Sequence, residues 1–323
     1  MVYKQIPNAD ELRCLYWNEG LSTRALAKRY GTHQRALIQW MRKFEIPRRN
    51  RIQAVIKGCS KYVKIPFDGT SQDKAYMLGL TFADFHRRRH GYQIRIATKT
   101  THPAFSKLFK DLFGNFTHLY ERPTFRRETR KYGWELEVLL HPSFDFLLLP
   151  KHIPKWVLQN DGVFLHFLAG YADGEGILSI LRNTKRYVAF LFCIASEDKA
   201  ILRSIWSKLK NMGFHPFLRR LRKAGETNTF NGQVSCYRKD QWVLRLKRRR
   251  EVIKLLEMIP IRHGEKIRKK QVMLDLRDKV HIKDVKNAVL KLRNEIRTEV
   301  TQYVRAAEEK YQKKKFSFLN ISS

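Results

Sequence analysis

The sequence predicts an α+β fold: a small all-α unit, two copies of one helix-and-strand unit, and a long terminal helix. Three observations predict it. Glycines divide the first fifty residues into three helical patterns, and an apolar helix ending in an acid occurs twice, each time leading into alternating strands. Near the end, residues 282–313 keep an almost heptad apolar spacing through Ile282, Val285, Val289, Leu292, Ile296, Tyr303 and Ala307.

Composition narrows the partners. Among 323 residues, 65 are Lys or Arg and 30 are Asp or Glu, a formal charge of +35. A hydrophobic fraction of 43% with 20 Phe, 13 Tyr and 6 Trp supplies a core and argues against disorder. So much spread positive charge repels itself unless a polyanion shares the working state. No run of about twenty apolar residues exists to cross a membrane. The four cysteines, Cys14, Cys59, Cys193 and Cys236, lie too far apart for a zinc knuckle and read as reduced core residues. The start, Met1 to Gln5, has no secretory apolar stretch. An intracellular protein is expected, in cytoplasm or organelle matrix alike.

The first helix is expected over Asp10–Asn18 and closed by Gly20, the second capped by Ser22 or Thr23. Gly31 turns the chain, and Thr32 is expected to cap a third helix with Leu37, Trp40, Met41 and Phe44 on one face, stopped by Pro47. This layout is that of a helix-turn-helix. His33, Gln34, Arg35, Gln39 and Arg42 would lie on the polar face of the third helix, placed to reach bases and phosphates, with Arg48, Arg49 and Arg51 as phosphate contacts.

The repeated helix follows. One copy runs Ala75 to Asp84 and the other Phe164 to Gly176; Gly79, Ala83 and Asp84 align with Gly170, Gly174 and Glu175 at a constant offset of 91. Glycine inside a helix costs about 1 kcal/mol relative to alanine. Small residues one turn apart, Gly79 with Ala83 and Gly170 with Gly174, instead make a flat stripe on which a second helix can lie. Two such helices about a pseudo-two-fold axis would bring Asp84 and Glu175 to the same end. That end is the negative pole of both helices, where a carboxylate is disfavoured by up to ~1 kcal/mol. A divalent cation would relieve that penalty and the mutual repulsion.

These residues resemble the LAGLIDADG homing endonucleases. Leu168-Ala169-Gly170-Tyr171-Ala172-Asp173-Gly174-Glu175-Gly176 is similar to their nine-residue signature, and Met77 to Phe85 to its degenerate form, with Phe85 in place of the final glycine. The resemblance covers roughly residues 70–280. It implies a monomer of two αββαββα repeats whose motif helices form the interface and whose saddle-shaped antiparallel sheets straddle DNA. It implies that Asp84 and Glu175 are the metal ligands, with Mg²⁺ as cofactor and Mn²⁺ as a substitute. A basic residue near the metals would fall in Lys266–Gln271, taken as Arg268, and in copy one at Lys155 or Lys151. Thr98 and Ser196 occupy the position expected to order water. Asp173, two residues before Glu175, points elsewhere on the turn and is expected to cap or tie the interface.

The remaining elements follow from alternation and helical spacing. Copy one is expected to have a strand at 91–99, a helix at 103–113, strands at 117–126 and 133–140, and a short helix near 143–149. Copy two is expected to have strands at 177–182 and 187–194, a helix at 199–212, strands at 216–222 and 233–238, and a helix at 251–259. Arg87, Arg88, Arg89, Arg95, Arg126, Arg127, Arg182, Lys185, Arg186, Arg219, Arg220, Arg222 and Lys223 would make both wet faces basic. Of these, Arg95, Arg126, Arg182, Arg219 and Arg222 are the expected DNA contacts. The chain thus divides into a helix-turn-helix at 1–50, a basic linker at 51–70, repeats at 71–155 and 156–280, and a basic helix and tail at 281–323, with Lys313, Lys314 and Lys315 as further backbone contacts.

Two functions compete. One is a site-specific, intron-encoded homing endonuclease that cuts one phosphodiester per strand of double-stranded DNA. The other is a DNA- or RNA-binding regulator, or a maturase that binds its host intron RNA, on the same fold without cleavage. A pure binder has no reason to keep two carboxylates at helix C-termini.

Overall fold

In a computed structural model of the protein, residues 7–50, 53–54, 61–126, 130–182, 187–230, 233–279 and 281–319 are described. Arg51, Cys59, Arg127, Lys185 and Arg186, and the side chains of Arg182, Lys314 and Lys315, lie outside the described residues.

The first unit has its own core of Leu12, Leu15, Tyr16, Leu26, Ala27, Leu37, Met41 and Ile46. Helix α1 (Ala9–Arg13) continues as a π-turn over Cys14–Asn18 and ends at Gly20, whose φ is 79°. Ser22 caps α2 (Thr23–Arg29) by accepting from Ala25 N at 3.0 Å. Gly31, at φ 61°, makes the turn into α3 (Gln34–Lys43). Three expectations change here. The N-cap of α3 is His33 rather than Thr32, and it makes no side-chain cap bond. The helix stops before Pro47, because Glu45 takes φ 52°. Arg49 is an internal clamp rather than a phosphate contact. Its guanidinium lies 4.0 Å from the centre of the Tyr16 ring and donates to the carbonyls of Gly20 and Leu21, which the turn leaves without helical partners.

The body consists of two repeats with one topology. Repeat one is α4 (Ser71–Asp84), β1 (His86–His90), β2 (Gln93–Thr100), α5 (Pro103–Phe113), β3 (Leu119–Arg126), β4 (Lys131–Leu140) and a 3₁₀ segment over Pro142–Leu148. After the short α6 (Lys155–Leu158), repeat two is α7 (Asp161–Glu175), β5 (Gly176–Arg182), β6 (Val188–Ser196), α8 (Lys199–Asn211), β7 (Phe217–Arg222), β8 (Thr227–Phe230), β9 (Gln233–Cys236), β10 (Gln241–Leu246) and α9 (Arg249–Met258). The four-stranded antiparallel sheets run β1-β2-β4-β3 and β5-β6-β10-β7, so the strand order is the same in both. Two strand expectations are corrected. His86–His90 pairs with β2 although its sequence, His-Arg-Arg-Arg-His, has no apolar alternation. The segment at Gln233 belongs to a separate hairpin with β8, and β10 is the strand that completes the second sheet.

Helices α4 and α7 hold the repeats together. Thr70 and Asp73 close a capping box on α4, and Asn160 caps α7. A Cβ at Gly79 would crowd the carbonyl of Phe167 and come within 2.9 Å of Tyr171 N; one at Gly170 would crowd the carbonyl of Tyr76 and come within 2.9 Å of Leu80 N. The pseudo-dyad exchanges the two contacts. Gly174 instead faces a side chain, the methyl of Ala83. Phe82 and Phe167 meet edge to face with centroids 6.0 Å apart, and both helices are buried in one continuous core.

Helices α10 (Gly264–Asp275) and α11 (Ile282–Leu319) complete the chain. The last helix packs on the body through its apolar stripe: Val285 and Ala307 are buried, and Trp134 of β4 donates its indole N–H to Tyr303 O at 3.2 Å.

Replacing Gly79 or Gly170 with alanine should lower stability although alanine is the better helix former. Overpacking at such a contact costs about 1–3 kcal/mol. Urea unfolding checks this, and an unchanged or raised midpoint for both variants would contradict the close backbone packing.

Candidate metal and nucleic-acid site

Because α4 and α7 cross at their glycines, their C-termini finish side by side. A Cβ on Gly174 would lie 3.4 Å from Asp84 Cβ, one residue before Glu175. Crowding by surrounding protein raises the Asp84 carboxyl from its ordinary value, while the charges of Lys266 and Arg126 pull the other way. Glu175 is half-buried, and its carboxyl rises to about 7, first by desolvation and then by the negative charge of Asp84. Glu175 therefore lies within reach of the charge of Asp84.

Lys266, in the first turn of α10, projects into this end of the interface. Its ammonium donates to the carbonyls of Ala172 at 2.6 Å and Asp173 at 2.7 Å, closing the last turn of α7. Desolvation lowers its pKa to about 8, and the charges of Asp173, Asp84 and Glu175 resist that fall. This cation offsets the unfavourable pole at which the acids sit.

Asp173 ties the interface. Its Oδ2 accepts from Tyr76 Oη of α4 at 2.5 Å, from Arg262 N at 2.8 Å and from His263 N at 3.1 Å. One carboxylate thus joins α7, α4 and the segment that leads into α10. Burial is the main influence on it and pushes it upward.

The structure distributes the other candidates unevenly. Arg268 is not the basic residue beside the acids: it forms a two-pronged pair with Glu299 of α11, at 2.7 Å for each bond. The residue in that place is Lys266. The sequence did contain a signal, since Lys266, Lys270 and the buried Met273 share one face at helical spacing and Arg268 falls off it. Lys155 is exposed at the first position of α6, whereas the charge of Lys151 reaches Glu175 and its ammonium pairs with Asp198 at 3.0 Å. Asp198, which sequence reasoning passed over, adds to the upward push on Glu175. Ser196 Oγ accepts from Tyr171 Oη at 2.9 Å and Asp198 N at 3.2 Å, a tie of strand to helix. Its counterpart in repeat one is Thr100, which accepts from His102 N, and not Thr98.

Thr98, Arg95, Lys99 and Arg126 line a recess that opens onto Asp84. Arg126 donates to Lys99 O, and Arg95 pairs with Glu137 at 2.5 Å. Arg219 is exposed, while Arg222 stands 3.7 Å from Glu226. On α3, His33, Arg35 and Arg42 are exposed, but Gln34 turns inward and donates to Thr23 Oγ1 at 2.7 Å. Gln34 therefore fixes α2 against α3 and is not presented to a partner.

The donor set suits a hard cation of the magnesium type. It offers two carboxylates, oxygen donors only, with an open side. Among the described residues no group of three or more His, Cys, Asp or Glu could hold a metal by itself. Mg²⁺ binds in this manner, through one or two carboxylates with water and substrate phosphate completing its shell, and Mn²⁺ accepts the same donors. No helix among the described residues is long and apolar enough to cross a membrane.

No family model matches the chain, and no curated protein matches it. Among solved structures, the chain is similar to I-DmoI in complex with DNA and Mn, at 18% identity over 58% of this chain and 96% of that one, with a TM-score of 0.35. It is similar to I-SmaMI bound to uncleaved DNA in the presence of calcium ions, at 10% identity over 71% of this chain and 97% of that one, with a TM-score of 0.38. A third is the N-terminal LAGLIDADG domain of DUF199/WhiA, at 16% identity over 62% of this chain and 89% of that one, with a TM-score of 0.39.

Two outcomes follow from the site. Glu175 holds its proton more tightly when folded, so stability falls as pH rises from about 4.5 to about 7. Glu175→Gln should therefore be more stable than the parent at pH 8, by on the order of 1–2 kcal/mol after solvent screening, and equal to it below about pH 4.5. Thermal unfolding across pH measures this, and a variant less stable at pH 8 would contradict the desolvation of Glu175. Asp173→Ala should cost at least about 3 kcal/mol, because it strands a buried hydroxyl and two N–H groups; a loss under 1 kcal/mol by urea unfolding would contradict the tie.

Proposed function

We propose that the chain is a site-specific double-stranded DNA endonuclease of the homing type, hydrolysing one phosphodiester in each strand with a divalent metal, as an intron-encoded protein would. The observation that carries this reading is the juxtaposition of Asp84 and the half-buried Glu175 beside Lys266 at the seam of two repeats. A stable fold gains nothing from two carboxylates forced together at helix C-termini. A reaction that needs a cation against a phosphate does.

Asp84 and Glu175 would hold Mg²⁺, and the cation would supply Lewis-acid polarisation of the scissile phosphate. Lys266 contributes positive charge where negative charge grows during displacement, and its half-burial strengthens that interaction. Arg126, whose charge reaches Asp84, serves the repeat-one side of the cut. Lys151, pulled between Asp198 and Glu175, serves the other. The sheets position the duplex over the acids, and His33, Arg35 and Arg42 of the helix-turn-helix bind flanking DNA. A monomer suffices, because both halves of the site belong to one chain.

A regulator or intron maturase of the same fold would bind nucleic acid and leave it intact. The test is cleavage of duplex DNA that the protein selects. Asp84→Asn and Glu175→Gln should each abolish double-strand cutting in Mg²⁺ while binding survives, and Lys266→Met should slow cutting at least tenfold. Normal cutting by either acid variant would overturn the assignment, and binding without cutting by the parent would support the maturase or regulator. Arg35→Ala and Arg42→Ala should each weaken binding and lower its salt slope by about one; fluorescence anisotropy across salt concentrations measures that.

A further inference from the structure

The two sheets share a topology but not a surface. Strand register sets the equivalences: His86 faces Ala97 on one sheet as Ile177 faces Cys193 on the other. Tyr120 faces Glu137 as Phe217 faces Arg245. Alternation then assigns one face of each sheet to the core and the other to the side on which Asp84 opens. On that open face, His86 becomes Ile177, His90 becomes Leu181, Arg95 becomes Leu191 and Lys99 becomes Ala195 in repeat two. Glu135 becomes Val243.

Repeat one thus presents charged and polar side chains, partly neutralised by Arg95–Glu137 and Arg122–Glu135 pairs. Repeat two presents hydrocarbon around a central cation, Arg245. Ile177 is 49% exposed, Leu181 45% and Phe217 56%, far more than a core-facing strand residue shows. Of the basic face expected for repeat two, the described strand residues are Arg245 on β10, opposite Phe217, and Arg219, Arg220 and Arg222 on the outer strand β7. In a duplex, phosphates line the groove walls, where the β7 arginines can hold them, and base edges form the floor, which Ile177 and Leu181 of β5 and Phe217 of β7 can meet. The one apolar mark on that floor is the C5-methyl of thymine.

Resting on the nuclease reading above, we propose that repeat two recognises its half of the target through thymine methyl groups in the major groove, with Ile177, Leu181 and Phe217 as the specificity residues. Repeat one reads its half through hydrogen-bonding side chains such as Arg88 and Arg95. The preferred DNA is asymmetric, with thymines concentrated in one half.

The full-length chain is incubated with a randomised duplex library, and bound molecules are sequenced. Ile177→Ser and Phe217→Ser identify the half-site read by repeat two, and Arg88→Ser the other. Deoxyuridine then replaces thymidine in each half of the selected duplex, which removes the methyl and leaves the protein untouched. The expected result is a loss of about fourfold in affinity per contacted methyl in the half that Ile177→Ser blurs, and little change in the other half. A half-site rich in G·C, or equal affinity for deoxyuridine and thymidine duplexes there, would overturn the proposal and leave the nuclease reading intact. Failure to enrich any duplex would overturn both. Self-association of the parent that Phe217→Ser abolishes, without change in the selected sequence, would assign the apolar face to a second protein copy and overturn it too.

Discussion

The structure depends on two glycines that let one helix backbone touch another. At Gly79 and Gly170 a side chain as small as a methyl would enter the carbonyl of the opposite helix. The contact repeats symmetrically, so it sets the distance and the rotation between the repeats together. Everything near the acids follows. The last turns of α4 and α7 must end together, and Asp84 and Glu175 must share one small volume. The penalty for ordering glycine in a helix, about 1 kcal/mol each, is offset by the packing that only glycine permits.

The shared volume is held against its own electrostatics by two devices. Lys266 closes the last turn of α7 and leaves positive charge beside the carboxylates. Asp173 takes one donor from α4 and two from the segment before α10, and so fixes the approach of the helix that carries Lys266. Neither device neutralises the acids, since Glu175 still sits near 7. The site is assembled but not satisfied, which is the condition expected of a place that receives a cation and a polyanion.

Much of this was legible in the sequence because it rests on spacing. The constant offset between Gly79 and Gly170 and between Asp84 and Glu175 exposed the duplication, and the small pairs exposed the interface. The long terminal helix followed from its heptads. What was hidden depends on register or on tertiary partners. Strand β1 is five polar residues, and it is a strand because β2 pairs with it. The hairpin of β8 and β9 is an insertion that drew attention from β10. Gln34 and Arg49 have the chemistry of DNA contacts, but they are spent on Thr23 and on the carbonyls of the turn. Arg268 and Lys266 are two residues apart on one helix, so they face different neighbours, Glu299 and the end of α7. A count of basic residues could not show that repeat two turns Ile177, Leu181 and Phe217 to its open face, because that depends on which residues of paired strands point the same way.

The most direct test of the central claim is anomalous X-ray diffraction from crystals of the full chain with its selected duplex and Mn²⁺. The account predicts manganese density contacting the carboxylates of both Asp84 and Glu175, against the DNA backbone. Manganese bound elsewhere, or the two acids parted by the duplex with no ion between them, would contradict it.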